Sequence, residues 1–569
     1  MTLKRSVGRL LAVLLAFMLI AAACGDDSGD DDGGSAAEGG DTGGEESDVE
    51  TQPGGEFVDL GTFVGDPPEH IDPALNSTLD AYQVVNALYD GLTDIDATDP
   101  DNPVVVPHVA ESYEPNEDAS VWTFQIREGV QFSTGEEVLP SSFERAWNRA
   151  AQADFAGDYS YLIGAFIEGG QAVLDGEADT ISGVVADDDA MTLEVTLTEP
   201  YANFDAVAGF QLFMPMPSDV DELDDQNDWE NGIMIGNGPY VMESARTDEE
   251  IVLVKSDNWA GDFDGNTWDD RLDRITFRTS ADPDTSYNAF EAGEGDNANI
   301  PPARTQEAQE AHGTTLDVPI LGSYHYVFNF RDDRVGGDEN KLFRQAISQA
   351  IDREEINEAV YDGSRTTSTG ITPEGIPGWA PDICDYCAYD PEAAEAAFQE
   401  WQDAGNSQDG PLPIQFNADA GHEPVVQIIV DNLAAIGIEA EADPRDSETY
   451  FTDLANGDCV FCRVGWFADY PTYDNFMFDL FHSSALDGNN YGFTNDDFDA
   501  LVEEAKQTVD PDEQASLFQE AEGVLLNDQI GAVPINWYNG DYAFDQERIA
   551  NFPQTNFGLI LWEQVALAA

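Results

Sequence analysis

The chain has 569 residues, of which 42% are hydrophobic and 11% aromatic, so it can bury a large core and build several domains. Its 114 acidic and 22 basic residues give a formal net charge of -92. This balance argues against nucleic acid as a partner, because phosphate binding requires basic patches. Self-repulsion at such a charge weakens a compact fold unless salt screens it, so the composition indicates a saline habitat.

The N-terminus has the pattern of a signal peptide. Lys4, Arg5 and Arg9 precede an apolar run over residues 10–23, which is shorter than the ~20 residues of a membrane-spanning helix. Cys24 follows small residues, and this arrangement resembles a bacterial lipobox, although Ala21 stands where a large aliphatic residue is usual. We therefore expect residues 1–23 to be removed and Cys24 to be lipidated, which places the protein outside the cytoplasm on the cell membrane. The alternative is ordinary secretion with an incidental Cys24.

An acidic tether is expected over residues 24–55. From residue 25 onward this segment is mostly Gly, Asp, Glu and Ser, and it has too few apolar side chains to fold. As a flexible chain it would reach about 30 Å. Membrane attachment would come from the lipid, because anionic headgroups repel so acidic a protein.

From residue 56 onward, strand and helix patterns alternate. Residues 121–126 and 191–197 alternate apolar and polar side chains, which predicts half-buried strands. Apolar spacing predicts helices over residues 343–351 and 425–436, and Asp510-Pro511 is typical of the start of another helix. The mixture indicates an α/β or α+β fold.

Common catalytic motifs are absent from the sequence. It has no Gly-x-Ser-x-Gly and no Gly-Lys, so neither a hydrolase elbow nor a phosphate-binding P-loop is indicated. His422-Glu423 is followed by Pro424 and lacks the second His of a zinc protease. We expect no enzyme activity, no cofactor and no metal.

Four cysteines remain besides Cys24. They form two Cys-x-x-Cys pairs, Cys384 with Cys387 and Cys459 with Cys462. An extracytoplasmic compartment favours disulfides over a tetrathiolate zinc site or free thiols. Residues three apart in a strand point to opposite faces, so a disulfide between Cys459 and Cys462 needs a turn between them. Cross-pairing of these two cysteines with Cys384 and Cys387 therefore stays open.

A series of sequence blocks runs through the body in a fixed order. Residues 110–113 (Ala-Glu-Ser-Tyr) precede residues 122–135, where an alternating strand leads into Arg-Glu-Gly-Val-Gln-Phe, and residues 142–147 follow. The other blocks are residues 71–74, 88–92, 236–240, 290–294, 328–330, 344–353, 433–438, 465–471 and 498–501. Together they resemble the bacterial extracellular solute-binding proteins of family 5, the peptide-, oligopeptide- and nickel-type binding components of ABC importers.

The resemblance implies an α/β fold with two lobes, of the periplasmic-binding-protein type II kind, with an extra subdomain in the first lobe. The implied boundaries are residues 56–97, 219–320 and 539–569 for lobe I, residues 98–218 for the extra subdomain, and residues 321–538 for lobe II. Lobe closure would trap a ligand, which the protein would then deliver to a membrane permease with its ATPase subunits.

The resemblance also implies ligand-binding residues in a Gly-Trp-Phe-Ala-Asp-Tyr block. In peptide-binding relatives, the acid that matches Asp469 pairs with the peptide's α-amino group. Trp466 and Tyr470 belong to the same block, and Trp466 could form a wall of the cleft. Arg463 resembles a cleft arginine that meets a ligand carboxylate, although an ion pair within this acidic protein is the favoured alternative. Asp469 could likewise serve as a structural ion pair or helix cap.

Ser77, Thr78 and Tyr161 stand where relatives often build the opposite wall of the cleft. We expect a monomer that binds peptides or oligopeptides. The alternatives are the same fold with a nickel chelate or an oligosaccharide, a secreted hydrolase, or a sensor.

Overall fold

The computed structural model describes residues 51–569 except residues 66, 97–102, 156, 262–270, 419–420, 447–448, 451–452, 455 and 485–490. The predicted signal peptide, Cys24 and nearly all of the tether lie outside the described residues. Residues Val49–Ala569 form one compact unit.

A seven-stranded mixed sheet occupies one part of this unit. Its strands, in spatial order, are Gly313–Thr314, Tyr542–Phe544, Asn297–Asn299, Glu56–Asp59, Arg274–Arg278, Glu250–Lys255 and Tyr240–Met242. The central Glu56–Asp59 strand runs parallel to both of its neighbours, and the others pair antiparallel. Its strands therefore come from three distant stretches of the chain.

A six-stranded mixed sheet is built from a single stretch of the chain. Its strands, in spatial order, are Thr366–Thr367, Ala532–Asn539, Pro319–Phe328, Phe461–Phe467, Leu412–Asn417 and Ala440–Arg445. The Phe461–Phe467 strand pairs antiparallel with Pro319–Phe328, with Arg463 opposite Tyr326 and Trp466 opposite Ser323. This strand leads directly into the predicted ligand-binding block.

A separate four-stranded antiparallel sheet is inserted in the sequence between the Glu56–Asp59 and Tyr240–Met242 strands of the seven-stranded sheet. Its strands, in spatial order, are Ala110–Pro115, Val121–Ile126, Thr192–Thr196 and Val184–Asp187. Trp122, Phe124 and Ile126 are buried, as their alternation predicts, so the strands expected over residues 121–126 and 191–197 are confirmed. Two smaller sheets are also present. One joins the strands Thr51–Gln52, Ala566–Ala568 and Ile549–Asn551, and the other joins Thr93–Asp96 with Val104–Pro107.

The predicted helices are also present. The α-helices of the described residues are Leu79–Leu88, Pro140–Ala150, Tyr161–Phe166, Gly170–Leu174, Phe204–Ala208, Pro283–Glu291, Thr305–Ala311, Lys341–Ala350, Arg353–Tyr361, Pro391–Asp403, Glu423–Ala435, Asp474–Phe481, Asp496–Gln507 and Pro511–Gly523. The Asp510 carboxylate accepts a hydrogen bond from the Glu513 amide and so caps the last of them. Among these residues no helix is both long and apolar enough to span a bilayer.

The chain crosses between the two large sheets twice, after Thr314 and after Asn539. The crossings lie side by side, because the Gly540 amide donates to the Val318 carbonyl at 2.9 Å and the Thr315 amide donates to the Tyr542 carbonyl at 3.0 Å. A Cβ at Gly540 would lie 2.4 Å from the Thr315 carbonyl oxygen, so this close approach requires glycine. The two connections therefore act as one paired joint.

A buried ion pair holds the segment that leads into the helix Leu79–Leu88. Arg149 donates to both carboxylate oxygens of Asp72, at 3.1 and 2.5 Å, and the two side chains are 2% and 0% exposed. Asp72 also accepts from the Ala74 amide at 2.9 Å. The pair thus ties the loop that carries Ser77 and Thr78 to the helix Pro140–Ala150.

We predict that Asp72→Asn lowers the free energy of unfolding by about 3–5 kcal/mol, because the Arg149 guanidinium stays buried without its charge partner. Thermal unfolding measures the loss. Glu307→Gln is the matched control, since its partner Arg304 is near the surface and such pairs contribute about 1 kcal/mol or less. Equal losses in the two variants would contradict the prediction.

Candidate ligand-binding cleft

The side-chain amide of Asn475 organises the loop that carries Asp469. Its oxygen accepts from the Trp466 indole and from the Asp469 backbone amide, both at 3.1 Å. Its nitrogen donates to Asp469 at 3.3 Å and to Asp479 at 2.9 Å. All four hydrogen-bonding positions of the amide are therefore used, and Asn475 is fully buried.

Asp469 meets a second donor from a distant part of the chain. The Tyr159 hydroxyl donates to its other carboxylate oxygen at 2.8 Å, across a separation of 310 residues. Burial raises the pKa of the Asp469 carboxyl to about 6, and the hydrogen bonds from Tyr159 and Asn475 oppose that rise. Among the described residues no basic side chain forms an ion pair with Asp469, so the predicted structural ion pair is not present there.

A cavity of about 180 Å³ opens beside Asp469. Four of the predicted site residues line it: Ser77, Thr78, Trp466 and Asp469. The other lining residues are Leu79, Tyr82, Tyr159, Phe210, Gln211, Gly465, Phe467, Ala468 and Phe557. An adjoining space of about 70 Å³ shares Tyr82, Phe210, Asp469 and Phe557 with it. Six of the thirteen residues that line the larger cavity are aromatic, and Asp469 is the charged group among them.

Arg463 lies behind this cavity rather than on its wall. Its guanidinium donates to the Tyr538 hydroxyl at 3.1 Å and stands 4.8 Å from the centre of the Tyr324 ring. Phe467 stacks on Tyr538 with the ring centres 4.6 Å apart and is 42% exposed. Gly465 allows this crowding, because a Cβ there would lie 2.7 Å from the Tyr538 hydroxyl.

The internal ion pair favoured for Arg463 is not found among the described residues, and this expectation is corrected. The side chain contacts aromatic rings and a phenol instead, and its buried Nε has no hydrogen-bond partner in the described part of the chain. The physical reason is the direction of the strand: Arg463 faces the core beneath the six-stranded sheet, while the acidic residues crowd the surface.

Two predicted residues lie elsewhere. Tyr470 is 1% exposed, donates to Asp479 at 3.1 Å and packs in the core cluster of the seven-stranded sheet, so it supports the loop. Tyr161 lines a different cavity, together with Asp474 and Lys506. Tyr159, two residues earlier, is the tyrosine that reaches Asp469.

Both cysteine pairs form local disulfides, Cys384 with Cys387 and Cys459 with Cys462. Their Cα atoms are 5.4 and 6.0 Å apart. The strand begins at Phe461, so Cys459 lies in the irregular segment before it and the required change of direction is available. Cross-pairing and a four-sulfur zinc site are therefore not the arrangement seen.

Sequence reasoning missed Asn475 and Tyr159. Asn475 stands six residues after Asp469 at the start of a helix, where an amide side chain has many ordinary roles. Tyr159 carries no motif, and only the folded chain brings it to the carboxylate.

Comparison with known proteins identifies the family. The profile of the middle region of "Bacterial extracellular solute-binding proteins, family 5" matches residues 104–488, more than half of the chain. The chain belongs to this family. It is therefore a binding protein of an extracellular solute-binding family, as predicted, and not an enzyme.

The similarity to individual relatives extends over most of both chains. The oligopeptide-binding protein OppA of Bacillus subtilis is 25% identical over 494 residues, covering 84% of this chain and 87% of the relative. The structure of the Escherichia coli murein tripeptide binding protein MppA matches with a TM-score of 0.73 and 22% identity, covering 91% of this chain and 99% of the other. Haemophilus influenzae OppA in complex with the peptide RPPGFSPFR matches with a TM-score of 0.71 and 23% identity, covering 91% and 100%. The predicted fold class is confirmed.

We predict that Asp469→Asn stabilises the ligand-free protein at pH 8. The pKa of Asp469 lies above its ordinary value of 3.8, at about 6, so the ionised carboxylate opposes folding above pH 6 and this penalty vanishes as the pH falls towards 4. The full shift corresponds to about 3 kcal/mol. Melting temperatures at pH 8 and pH 5 measure the gain, which should shrink at the lower pH.

The exposed Asp189→Asn is the control, and it should alter stability little at either pH. A gain for Asp469→Asn that is equal at both pH values would rule out the ionised carboxylate as its cause.

Proposed function

We propose that this protein captures peptides outside the cell and delivers them to the permease and ATPase subunits of an ABC importer. The observation that carries the proposal is Asp469, a hydrogen-bonded carboxylate on an aromatic cavity that has no basic partner among the described residues. A buried carboxylate favours a bound cation, because an unpaired charge is costly in a closed cleft. The α-amino group of a peptide supplies such a cation.

The relatives support a peptide as the ligand. Those named above are an oligopeptide-binding protein, a murein tripeptide binding protein and a protein in complex with a peptide. The Gly465-to-Tyr470 block, which resembles the amine-binding block of such proteins, borders the cavity through Trp466 and Asp469. In this proposal Ser77 and Thr78 form the facing wall.

Arg463 is proposed as the partner of a ligand carboxylate at the far end of the cleft. Its Nε has no described partner, and it is separated from the cavity by Phe467 and Tyr538. A ligand that reaches Arg463 would have to displace this aromatic pair, whereas a shorter ligand would contact Phe467.

Ligand capture is proposed to proceed by closure of two lobes with the boundaries given above, residues 56–320 with 539–569 on one side and residues 321–538 on the other. The hydrogen bonds from Tyr159 to Asp469 and from Tyr201 to Asp474 cross that boundary. A ligand that touches both walls adds contacts that exist only in the closed form and so favours closure. The paired crossings at Gly540 would serve as the hinge.

The proposal has four further parts. They are membrane attachment through lipidated Cys24, removal of residues 1–23, a monomeric state and adaptation to salt. The basic, apolar and small-residue pattern of the N-terminus supports lipidation. The formal charge of -92 supports salt adaptation.

We predict that Asp469→Ala weakens the binding of trialanine by at least about 30-fold, because a buried charge partner contributes about 2–5 kcal/mol. Isothermal titration calorimetry at pH 7.5 measures the change. Affinity of the unmodified protein should also fall below pH 6, since the pKa of Asp469 is about 6 and the protonated carboxyl cannot pair with ammonium.

N-acetyltrialanine is the matched control ligand. It should bind the unmodified protein as weakly as trialanine binds the Asp469→Ala protein, and the variant should barely distinguish the two ligands. Equal affinity of the unmodified protein for both ligands would remove the amine contact. Mass spectrometry of ligand released from purified protein tests the ligand class independently.

We predict that the melting temperature rises between low salt and molar NaCl, because the Debye length falls from about 10 Å at 0.1 M to about 3 Å at 1 M and repulsion is screened. Differential scanning calorimetry measures it. A melting temperature that is flat or falls with salt would reject the saline-habitat inference.

A further inference from the structure

The strand Phe461–Phe467 presents Arg463, Gly465 and Phe467 to one face of the six-stranded sheet, because side chains alternate along a strand and its pairing has no bulge here. Gly465 and Phe467 line the cavity beside Asp469, whereas Arg463 does not. The Phe467 side chain is 42% exposed. A large apolar ring therefore stands on the cavity wall, on the same face of the strand as the arginine.

Tyr538 fills the space between the arginine and this ring. It belongs to the strand Ala532–Asn539, and the strand Pro319–Phe328 lies between that strand and the one that carries Phe467. The Tyr538 ring reaches across this middle strand. It stacks on Phe467 with the ring centres 4.6 Å apart, and its hydroxyl accepts from Arg463 Nη2 at 3.1 Å.

Two glycines make room for the aromatic pair of Phe467 and Tyr538. A Cβ at Gly322 would lie 2.8 Å from the Tyr538 ring and 2.9 Å from the Phe467 ring. A Cβ at Gly465 would lie 2.7 Å from the Tyr538 hydroxyl and 2.8 Å from Arg463 Nη2. Since Gly465 also lines the cavity, the Arg463 guanidinium lies immediately beyond the cavity wall.

The aromatic pair is held within the six-stranded sheet itself. The Arg365 guanidinium stands 4.7 Å from the centre of the Tyr538 ring and donates to the Asn539 carbonyl at 3.4 Å. Cations are attracted to aromatic faces, so this contact holds the tyrosine in place. None of these contacts depends on the seven-stranded sheet, and we therefore expect the pair to persist when the cleft is open.

The spacing along the strand converts this barrier into a ligand length. Phe467 stands four positions after Arg463, which at about 3.3 Å per residue corresponds to about 13 Å. An extended peptide of about four residues covers that distance. A shorter peptide whose amine pairs with Asp469 would end before Arg463, whereas a longer one would have to pass Phe467.

We propose that Phe467, seated on Tyr538, is the specificity-determining residue that limits the ligand to about three residues by closing the way to Arg463. This inference rests on the function proposed above, because it takes the ligand to be a peptide held at Asp469. A longer peptide binds more weakly, since it has to separate two stacked rings. Removal of the Phe467 ring opens the way, and the carboxylate of a longer peptide can then pair with Arg463.

Calorimetry with trialanine and pentaalanine tests the length limit. The unmodified protein should bind trialanine at least about tenfold more tightly than pentaalanine, and Phe467→Ala should reduce this ratio at least about tenfold. Most of the change should come from tighter binding of pentaalanine. Phe467→Tyr keeps a stacking ring and should keep the ratio. Tyr389→Ala removes a similarly exposed aromatic side chain, at 48% exposure, and should also leave the ratio unchanged.

Labelling with phenylglyoxal, which modifies arginine side chains, tests the barrier without any peptide. Peptide mass spectrometry gives the rate at Arg463. This rate should rise at least about threefold in Phe467→Ala, because a shielded group reacts mainly when the structure opens locally. It should stay unchanged in Phe467→Tyr and in Tyr389→Ala.

The two measurements separate this proposal from the peptide function. If neither peptide binds the unmodified protein or Phe467→Ala, the peptide function fails, and the labelling alone decides whether Phe467 closes the way to Arg463. The proposal is overturned if the unmodified protein binds both peptides equally, or if Tyr389→Ala alters the ratio as much as Phe467→Ala does. An unchanged labelling rate at Arg463 in Phe467→Ala also overturns it.

Discussion

The Asn475 amide is the interaction on which the geometry of the cleft depends. It holds the Trp466 indole, the Asp469 backbone and two carboxylates at once, so its four hydrogen bonds join the end of a strand, the loop after it and the helix that carries Asn475. A carboxylate on an irregular loop would otherwise have several rotamers. Because the amide is fully buried and all its positions are used, it defines one orientation for Asp469 and links that carboxylate to Asp479.

The carboxylates of Asp469, Asp474 and Asp479 lie close together, and we call this region the seam. Their burial in the seam costs free energy of folding, and this cost is part of the proposed mechanism. Asp469, Asp474 and Asp479 receive hydrogen bonds from Tyr159, Tyr201 and Tyr470, which are neutral donors that stabilise a carboxylate without cancelling its charge. Burial, joined at Asp479 by the charge of Asp474, nevertheless raises the pKa values of Asp469 and Asp479, and the hydrogen bonds oppose that rise. In the proposed function, closure without a cation would leave electrostatic repulsion among these carboxylates, and a cationic ligand would relieve it. The proposed preference of a cationic ligand for the closed form would follow from this charge balance.

Much of the fold could be predicted from local sequence, and the site only in part. The alternation of residues 121–126 and the Asp510-Pro511 helix start are local signals, and the structure reproduces them. Asp469 can be proposed from the sequence because the motif that contains it is contiguous. Tyr159 could not be found, because its contact joins segments 310 residues apart. For Arg463, composition favoured an acidic partner, but strand direction turns the side chain towards aromatic rings instead.

In the proposed function, the scarcity of basic residues leaves positive charge for the ligand to supply. Several of the 22 Lys and Arg residues serve inside the fold. Arg149 pairs with buried Asp72, and Arg344 and Arg353 donate to backbone carbonyls of Gln529, Val335, Pro534 and Cys387. Guanidinium groups suit these positions because each can satisfy several carbonyls at once. Acidic residues consequently outnumber basic ones in the seam between residues 469 and 507, where a single lysine, Lys506, faces several carboxylates. In the proposed function, adaptation to salt and selectivity of the cleft for cations share one physical origin, the scarcity of basic residues.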